Sequence, residues 1–178
     1  MVGVAAIQND SGNIIHLPEL PSTPVVLTGV LICVDFGLKR VGLATCDVEG
    51  RAAVGAGRIE GKAGKALASS VREAGRIRNA SGFVIGEPST TRGNESVIEG
   101  IHRLAESLMA SGMPVTFWPE RFSTASALSE RKFYGGKGRE AKSWADEAAA
   151  IIILQDYLDW RRGVIRATAT SDQQGSGG

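Results

Sequence analysis

Four carboxylates stand where apolar runs give out, and acids so placed can act together. Asp35 closes the run Gly29-Val-Leu-Ile-Cys-Val-Asp35 and is followed by Gly37, Lys39 and Arg40. Glu87 follows Phe83-Val-Ile-Gly86, Glu120 follows Pro114-Val-Thr-Phe-Trp-Pro119, and Asp146 precedes the apolar stretch Ala148–Leu154. Carboxylates gathered by a fold repel one another unless positive charge lies between them, and a hard divalent cation is the usual partner. Mg²⁺ or Mn²⁺ is therefore the expected cofactor. One or two such ions, with phosphate oxygens completing their shell, suit in-line cleavage of a phosphodiester.

Each acid also has a plainer explanation. Asp35 could be a turn residue before Gly37, and Glu120 could form a surface pair with Arg121. Ser143-Trp-Ala-Asp146 fits a capping box, in which Asp146 satisfies only a helix N-terminus. Glu87, before Pro88, could be an ordinary loop residue. Other chemistries fit less well. Gly57-Arg-Ile-Glu-Gly-Lys62-Ala63 resembles a phosphate loop but is one residue short and lacks the hydroxyl residue after lysine. Two histidines leave no credible Ser-His-acid set or zinc site, and His102 reads as structural or solvated.

The acids converge only if several elements end together. Strand patterns occupy about 29–35, 40–46 and 52–59, and a helical pattern runs from Lys62 to Ala80. Its inward face is Ala66, Leu67, Ser70, Val71, Ala74 and Ile77. A short strand, Phe83–Ile85, leads through a polar loop into a helix over about 95–111, ended by Gly112. Pro114–Trp118 is a fifth strand, and helices follow over about 124–133 and 143–161. This order predicts one α/β domain: a mixed five-stranded sheet with helices on both faces. Parallel strands deliver their C-terminal residues to a common crevice, which would collect Asp35, Glu87 and Glu120. Packing the last helix beside the first strand would add Asp146.

The composition bounds the partners. The chain has 178 residues and a net charge of +1, which excludes a broadly basic coat. A local patch remains in Arg131, Lys132, Lys137, Arg139 and Lys142, although a solvated loop explains it equally well. Cys33 and Cys46 lie on predicted strands without redox or metal spacing. They read as small buried hydrophobes of a reducing, cytoplasmic compartment. No apolar stretch reaches membrane-spanning length. Residues 1–28 hold no lysine or arginine, which argues against a secretory or transit signal, and Asp10-Ser-Gly-Asn13 can turn a hairpin. The expected divisions are an N-terminal extension (1–28), a core domain (29–163) and a disordered polar tail (164–178).

Four segments resemble one known family in order. Val34-Asp35-Phe-Gly37-Leu-Lys39-Arg40-Val-Gly42 is similar to the Asp-Pro-Gly-x-Lys-Arg-x-Gly opening of the YqgF-type proteins. Val84-Ile-Gly86-Glu-Pro88 with Gly93-Asn-Glu95 resembles that family's Gly-Leu-Pro segment and glycine-containing loop. Pro119-Glu120-Arg121-Phe-Ser-Thr124 resembles its Asp-Glu-Arg-x-Thr-Thr. Asp146-Glu-Ala-Ala-Ala-Ile-Ile-Ile-Leu-Gln155 resembles Asp-x-x-Ala-Ala-x-x-Ile-Leu-Gln, the most specific of the four.

The family is described as RNase H-like, comprising Holliday junction resolvases and pre-16S rRNA nucleases. The resemblance implies an RNase H-like sheet and a nuclease acting on structured RNA or branched DNA. Asp35, Glu120 and Asp146 would be its catalytic, metal-binding acids, with Glu87 a possible fourth ligand where the family has leucine. Lys39, Arg40, Arg121 and Thr124 would contact substrate, joined by Lys137 and Arg139 of the basic loop. Phe36 replaces the family's proline, and Pro119 replaces the first acid of Asp-Glu-Arg. A homodimer would suit junction cleavage, which needs two active sites. Two rivals stand beside this reading: a catalytically silent nucleic-acid or ribosome-precursor binder, and an actin-like nucleotide-binding domain.

Overall fold

Leu31–Asp35 carries apolar side chains on both parities, so the strand it forms must be covered on both faces. The computed structural model describes residues 4–8, 14–18, 23–88, 95–119 and 139–174, with side chains over 23–88, 95–119 and 147–169. Seven strands and three helices occur there. They are β1 (Val4–Gln8), β2 (Ile14–Pro18), β3 (Leu31–Asp35), β4 (Arg40–Cys46) and β5 (Ala53–Glu60). After these come α1 (Gly64–Ile77), β6 (Gly82–Glu87), α2 (Glu95–Met109), β7 (Val115–Pro119) and α3 (Arg139–Gln174).

β1 and β2 pair antiparallel as the expected hairpin, with Gln8 opposite Ile14. The remaining strands form one sheet in the order β5-β4-β3-β6-β7. β3, β4 and β5 run antiparallel, whereas β3, β6 and β7 run parallel. This is the RNase H-like arrangement the motifs imply.

Two apolar layers sandwich the sheet. On one face Ile32, Val34, Phe83, Ile85 and Phe117 meet Leu67 and Val71 of α1 and Ile101, Leu104 and Leu108 of α2. On the other, Leu31, Cys33, Ala44, Val84 and Trp118 meet Ala150, Ile153, Leu154, Tyr157 and Leu158 of α3. Both cysteines are free and buried, as their pattern predicts.

The inward stripe of α1 differs from the predicted one. Leu67, Ala68, Val71 and Gly75 are buried, while Ile77 is exposed. Small residues decide this: a Cβ at Gly75 would lie 2.9 Å from the Phe83 ring, so glycine lets α1 approach β6. A Schellman motif ends the helix, with Ala80 N–H donating to Gly75 O and Asn79 N–H to Arg76 O at positive φ. Gly112 does the same for α2, as predicted.

α3 extends at both ends beyond the predicted 143–161 and continues through residues 164–174, where the composition favours a polar disordered tail. No proline interrupts it, and alanine and glutamine are tolerant helix residues. The segment before β3 is tied into the domain. The Tyr157 hydroxyl accepts from Leu27 N–H at 2.7 Å and donates to Val25 O at 2.8 Å, while Thr116 Oγ1 accepts from Val25 N–H. Buried Arg161 donates to Leu27 O and Glu49 O. Among the described residues no helix is long and apolar enough to cross a membrane.

Candidate active site at the strand ends

The site is built at the C-terminal ends of β3 and β6. In β3 the side chains alternate between the two layers: Ile32 and Val34 face α1 and α2, and Leu31 and Cys33 face α3. Asp35 continues the second set and emerges on the α3 face, half-buried. Electrostatics agree with this placement. Burial lifts the Cys33 thiol well above its ordinary range, and the next largest cause is the charge of Asp35.

Register fixes the neighbours. Val34 lies level with Ile85, so the residue level with Asp35 on β6 is Gly86. Gly86 has its own reason to be glycine: a Cβ there would stand 2.8 Å from Ile153 Cδ1 of α3. The helix therefore crosses close above the strand end. From that point α3 runs back along the sheet, through Tyr157 at Leu27 to Arg161 at Glu49. Its early turns consequently lie at the Asp35 end. Asp146 belongs to those turns, four residues before Ala150.

Glu87 is placed differently. Phe83 and Ile85 face α1 and α2, so Glu87, of the same parity, leaves β6 on that face and is exposed. It lies level with Pro119 at the end of β7. The pleat thus directs Glu87 and Asp35 to opposite faces of the sheet.

The turn after Asp35 is tight. A Cβ at Gly37 would lie 2.6 Å from Arg40 O, so the chain reverses into β4 only because this position is glycine. Lys39 is exposed at this reversal, and its carbonyl accepts from Gly61 N–H. Arg40, half-buried, begins β4 opposite Glu60.

Glu120, Arg121, Thr124 and Lys137 lie outside the described residues, as does the helix expected over 124–133, and Asp146 and Arg139 lie within α3 with side chains outside them. Among the described residues no three His, Cys, Asp or Glu side chains are gathered for a metal. The donor type of Asp35 fits a hard cation, which prefers carboxylate oxygen.

Spacing alone missed Phe36. Its ring packs against α2 at Gly100, where a Cβ would overlap the ring tip. The Phe36 substitution thus reaches beyond the turn. An aromatic residue between an acid and glycine, in a loop with no other reason to be apolar, was the available signal.

The profile of the family described as "RuvX: Holliday junction resolvase" matches residues 29–160. A Nitrobacter hamburgensis protein named "Putative pre-16S rRNA nuclease" is 34% identical over 149 residues, covering 81% of this chain and 89% of that one. Proteins of the same name from Bradyrhizobium sp. (strain ORS 278) and Chloroflexus aurantiacus are 36% and 31% identical, each over 135 residues. They cover 74% and 75% of this chain, and 83% and 88% of their own lengths. A solved structure, T. thermophilus RuvC in complex with a Holliday junction substrate, is similar at a TM-score of 0.49 and 17% identity, over 76% of this chain and 96% of that one. The chain belongs to the RuvX family.

Proposed function

We propose that this chain is a divalent-metal-dependent nuclease hydrolysing phosphodiester bonds in structured nucleic acid, with precursor 16S rRNA the favoured substrate. The observation that supports this most is the placement of Asp35. It leaves a buried central strand on the α3 face, level with Gly86, beneath the early turns of the helix that carries Asp146.

Glu120 follows directly on β7, two residues after Trp118, which faces α3. The family motif makes Glu120 the third acid of a set with Asp35 and Asp146. A bound Mg²⁺ or Mn²⁺ would offset their repulsion and supply an activated water near neutral pH. The protein's own groups hold the substrate in place. Lys39 and Arg40 meet phosphates beside Asp35, and the family motifs and the basic loop supply Arg121, Thr124, Lys137 and Arg139 as further phosphate contacts. Phosphate contacts of this kind position nucleic acid without reading its sequence. The pleat argues against Glu87 as a ligand. Family membership and the preference for one domain disfavour the actin-like reading. A cytoplasmic location accords with two free cysteines.

The test is incubation with Mn²⁺ and either a precursor-rRNA fragment or a four-way DNA junction, beside an Asp35→Asn control. Cleavage of the RNA, lost in the control, is the expected result. Cleavage of the junction alone, accompanied by a dimer in solution, would move the substrate to branched DNA. Binding without cleavage of either would make the chain a silent binding module.

A further inference from the structure

The segment Gly57–Ala63 fails as a phosphate loop, yet the fold brings it to the end of the sheet where Asp35 lies. Gly61 N–H donates to Lys39 O, which places Lys62 beside the β3–β4 turn. Lys65 follows one step into α1, whose first turn holds no acid. Among the described residues Lys39, Lys62 and Lys65 form no ion pair, and Lys62 Nζ donates only to the Ser70 hydroxyl.

Between this basic edge and α2 lies a cleft of about 170 Å³. Phe36 and Leu38 form its apolar side, Lys62 and Gly64 one rim, and Glu99 and Arg103 the other. Phe36 is held by Gly100, and Leu38 is 61% exposed. An exposed leucine beside a braced aromatic ring, edged by unpaired lysines, is poor design for a solvated turn. Glu99 does not oppose anion binding, because Arg103 is paired with it.

We propose that this cleft is a nucleotide subsite: it receives one unstacked base of a single-stranded segment against Phe36 and Leu38, with the flanking phosphates on Lys39, Lys62 and Lys65. Aromatic faces accept any base, and lysines on the backbone complete such sites. The subsite rests on the nucleic-acid reading above. The cleft lies on the α1/α2 side of the strand end and Asp35 on the α3 side. The subsite therefore assigns to that reading a requirement for unpaired nucleotides that pass round the β3–β4 turn to the cut.

The probe is a single-stranded RNA oligonucleotide carrying 2-aminopurine, bound to the Asp35→Asn protein and followed by anisotropy and fluorescence quenching across a salt series. Each of Lys62→Ala and Lys65→Ala should lower the slope of log affinity against log salt by about 0.7, the loss of one single-strand phosphate contact. Arg76→Ala removes the same charge from the far end of α1 and should leave affinity and slope unchanged. Leu38→Ser, at an exposed site that cannot threaten folding, should weaken binding with the slope preserved. Phe36→Leu should remove the quenching and weaken binding by roughly fivefold or more, the lower end of what losing a stacked base costs. If Asp35→Asn binds RNA while all four cleft variants bind it identically, the subsite is wrong and the nuclease reading survives. If Asp35→Asn binds no nucleic acid at any salt, both fall.

Discussion

Asp35 and Glu87 leave adjacent parallel strands on opposite faces of the sheet. Val34 and Ile85 lie level and share the α1/α2 layer, so Asp35, one residue later, faces α3 while Glu87, two residues later, does not. Two acids near each other in the strand ends are thereby directed to opposite faces.

This separation predicts that Glu87→Gln binds Mn²⁺ with wild-type affinity in calorimetry, whereas Asp35→Asn loses it. A clear weakening in Glu87→Gln would show that the chain bends round the strand end and makes Glu87 a ligand after all.

Gly100 and Phe36 give a prediction opposite to helix propensity. Glycine to alanine within a helix ordinarily gains up to about 1 kcal/mol. Here the new Cβ would overlap the Phe36 ring, so Gly100→Ala should instead destabilise by about 1–3 kcal/mol, the usual cost of overpacking. Adding Phe36→Ala should recover part of that loss. Urea denaturation of both single variants and the double variant measures the coupling, expected at about 1 kcal/mol or more. Additive effects would mean the ring is not held there.

Much of this fold was legible because the burial pattern announces it. Strands β3 to β7 and their order follow from apolar runs punctuated by glycine and proline, and Gly112 marked the end of α2. The stripe of α1 was misjudged by one residue because glycine and alanine, invisible to an apolar count, decide how close a helix comes to a sheet. The end of α3 was misjudged because polarity signals exposure and not disorder. Asp35 was recognisable as a strand-end acid, but its face was not. Face depends on strand parity relative to both layers, which only the paired register supplies, and the same register separates Glu87 from it.

Tyr157 fastens the lead-in segment to α3 from a fully buried position. Tyr157→Phe leaves the Leu27 N–H and the Val25 carbonyl without their partner and should cost about 2 kcal/mol in chemical denaturation. No change would indicate that both groups find other partners.

Stability should also fall at alkaline pH. Burial raises Cys46 and Tyr157 from their ordinary 9.0 and 10.0, and burial with the Asp35 charge raises Cys33 well above 9.0. A group with a raised folded pKa contributes stability that is complete below its unfolded pKa and declines as pH rises through the folded one. Above about pH 9 the unfolded chain releases thiol protons that the folded chain keeps, so unfolding becomes easier. Unfolding free energy measured from pH 7 to 10.5 should decline above 9, and less steeply in Cys33→Ala. A flat profile would contradict the burial of these groups.

The central claim is that Asp35, Glu120 and Asp146 act as one unit on a phosphodiester. Single-turnover cleavage of an end-labelled precursor-rRNA fragment in Mn²⁺ tests it most directly, comparing Asp35→Asn, Glu120→Gln, Asp146→Asn and the Asp35→Asn/Asp146→Asn double variant. Groups that act together are strongly non-additive, so each single variant should lose about 100-fold or more and the double should be little worse than either. Wild-type cleavage by any of the three single variants, or losses that multiply in the double, would contradict the account.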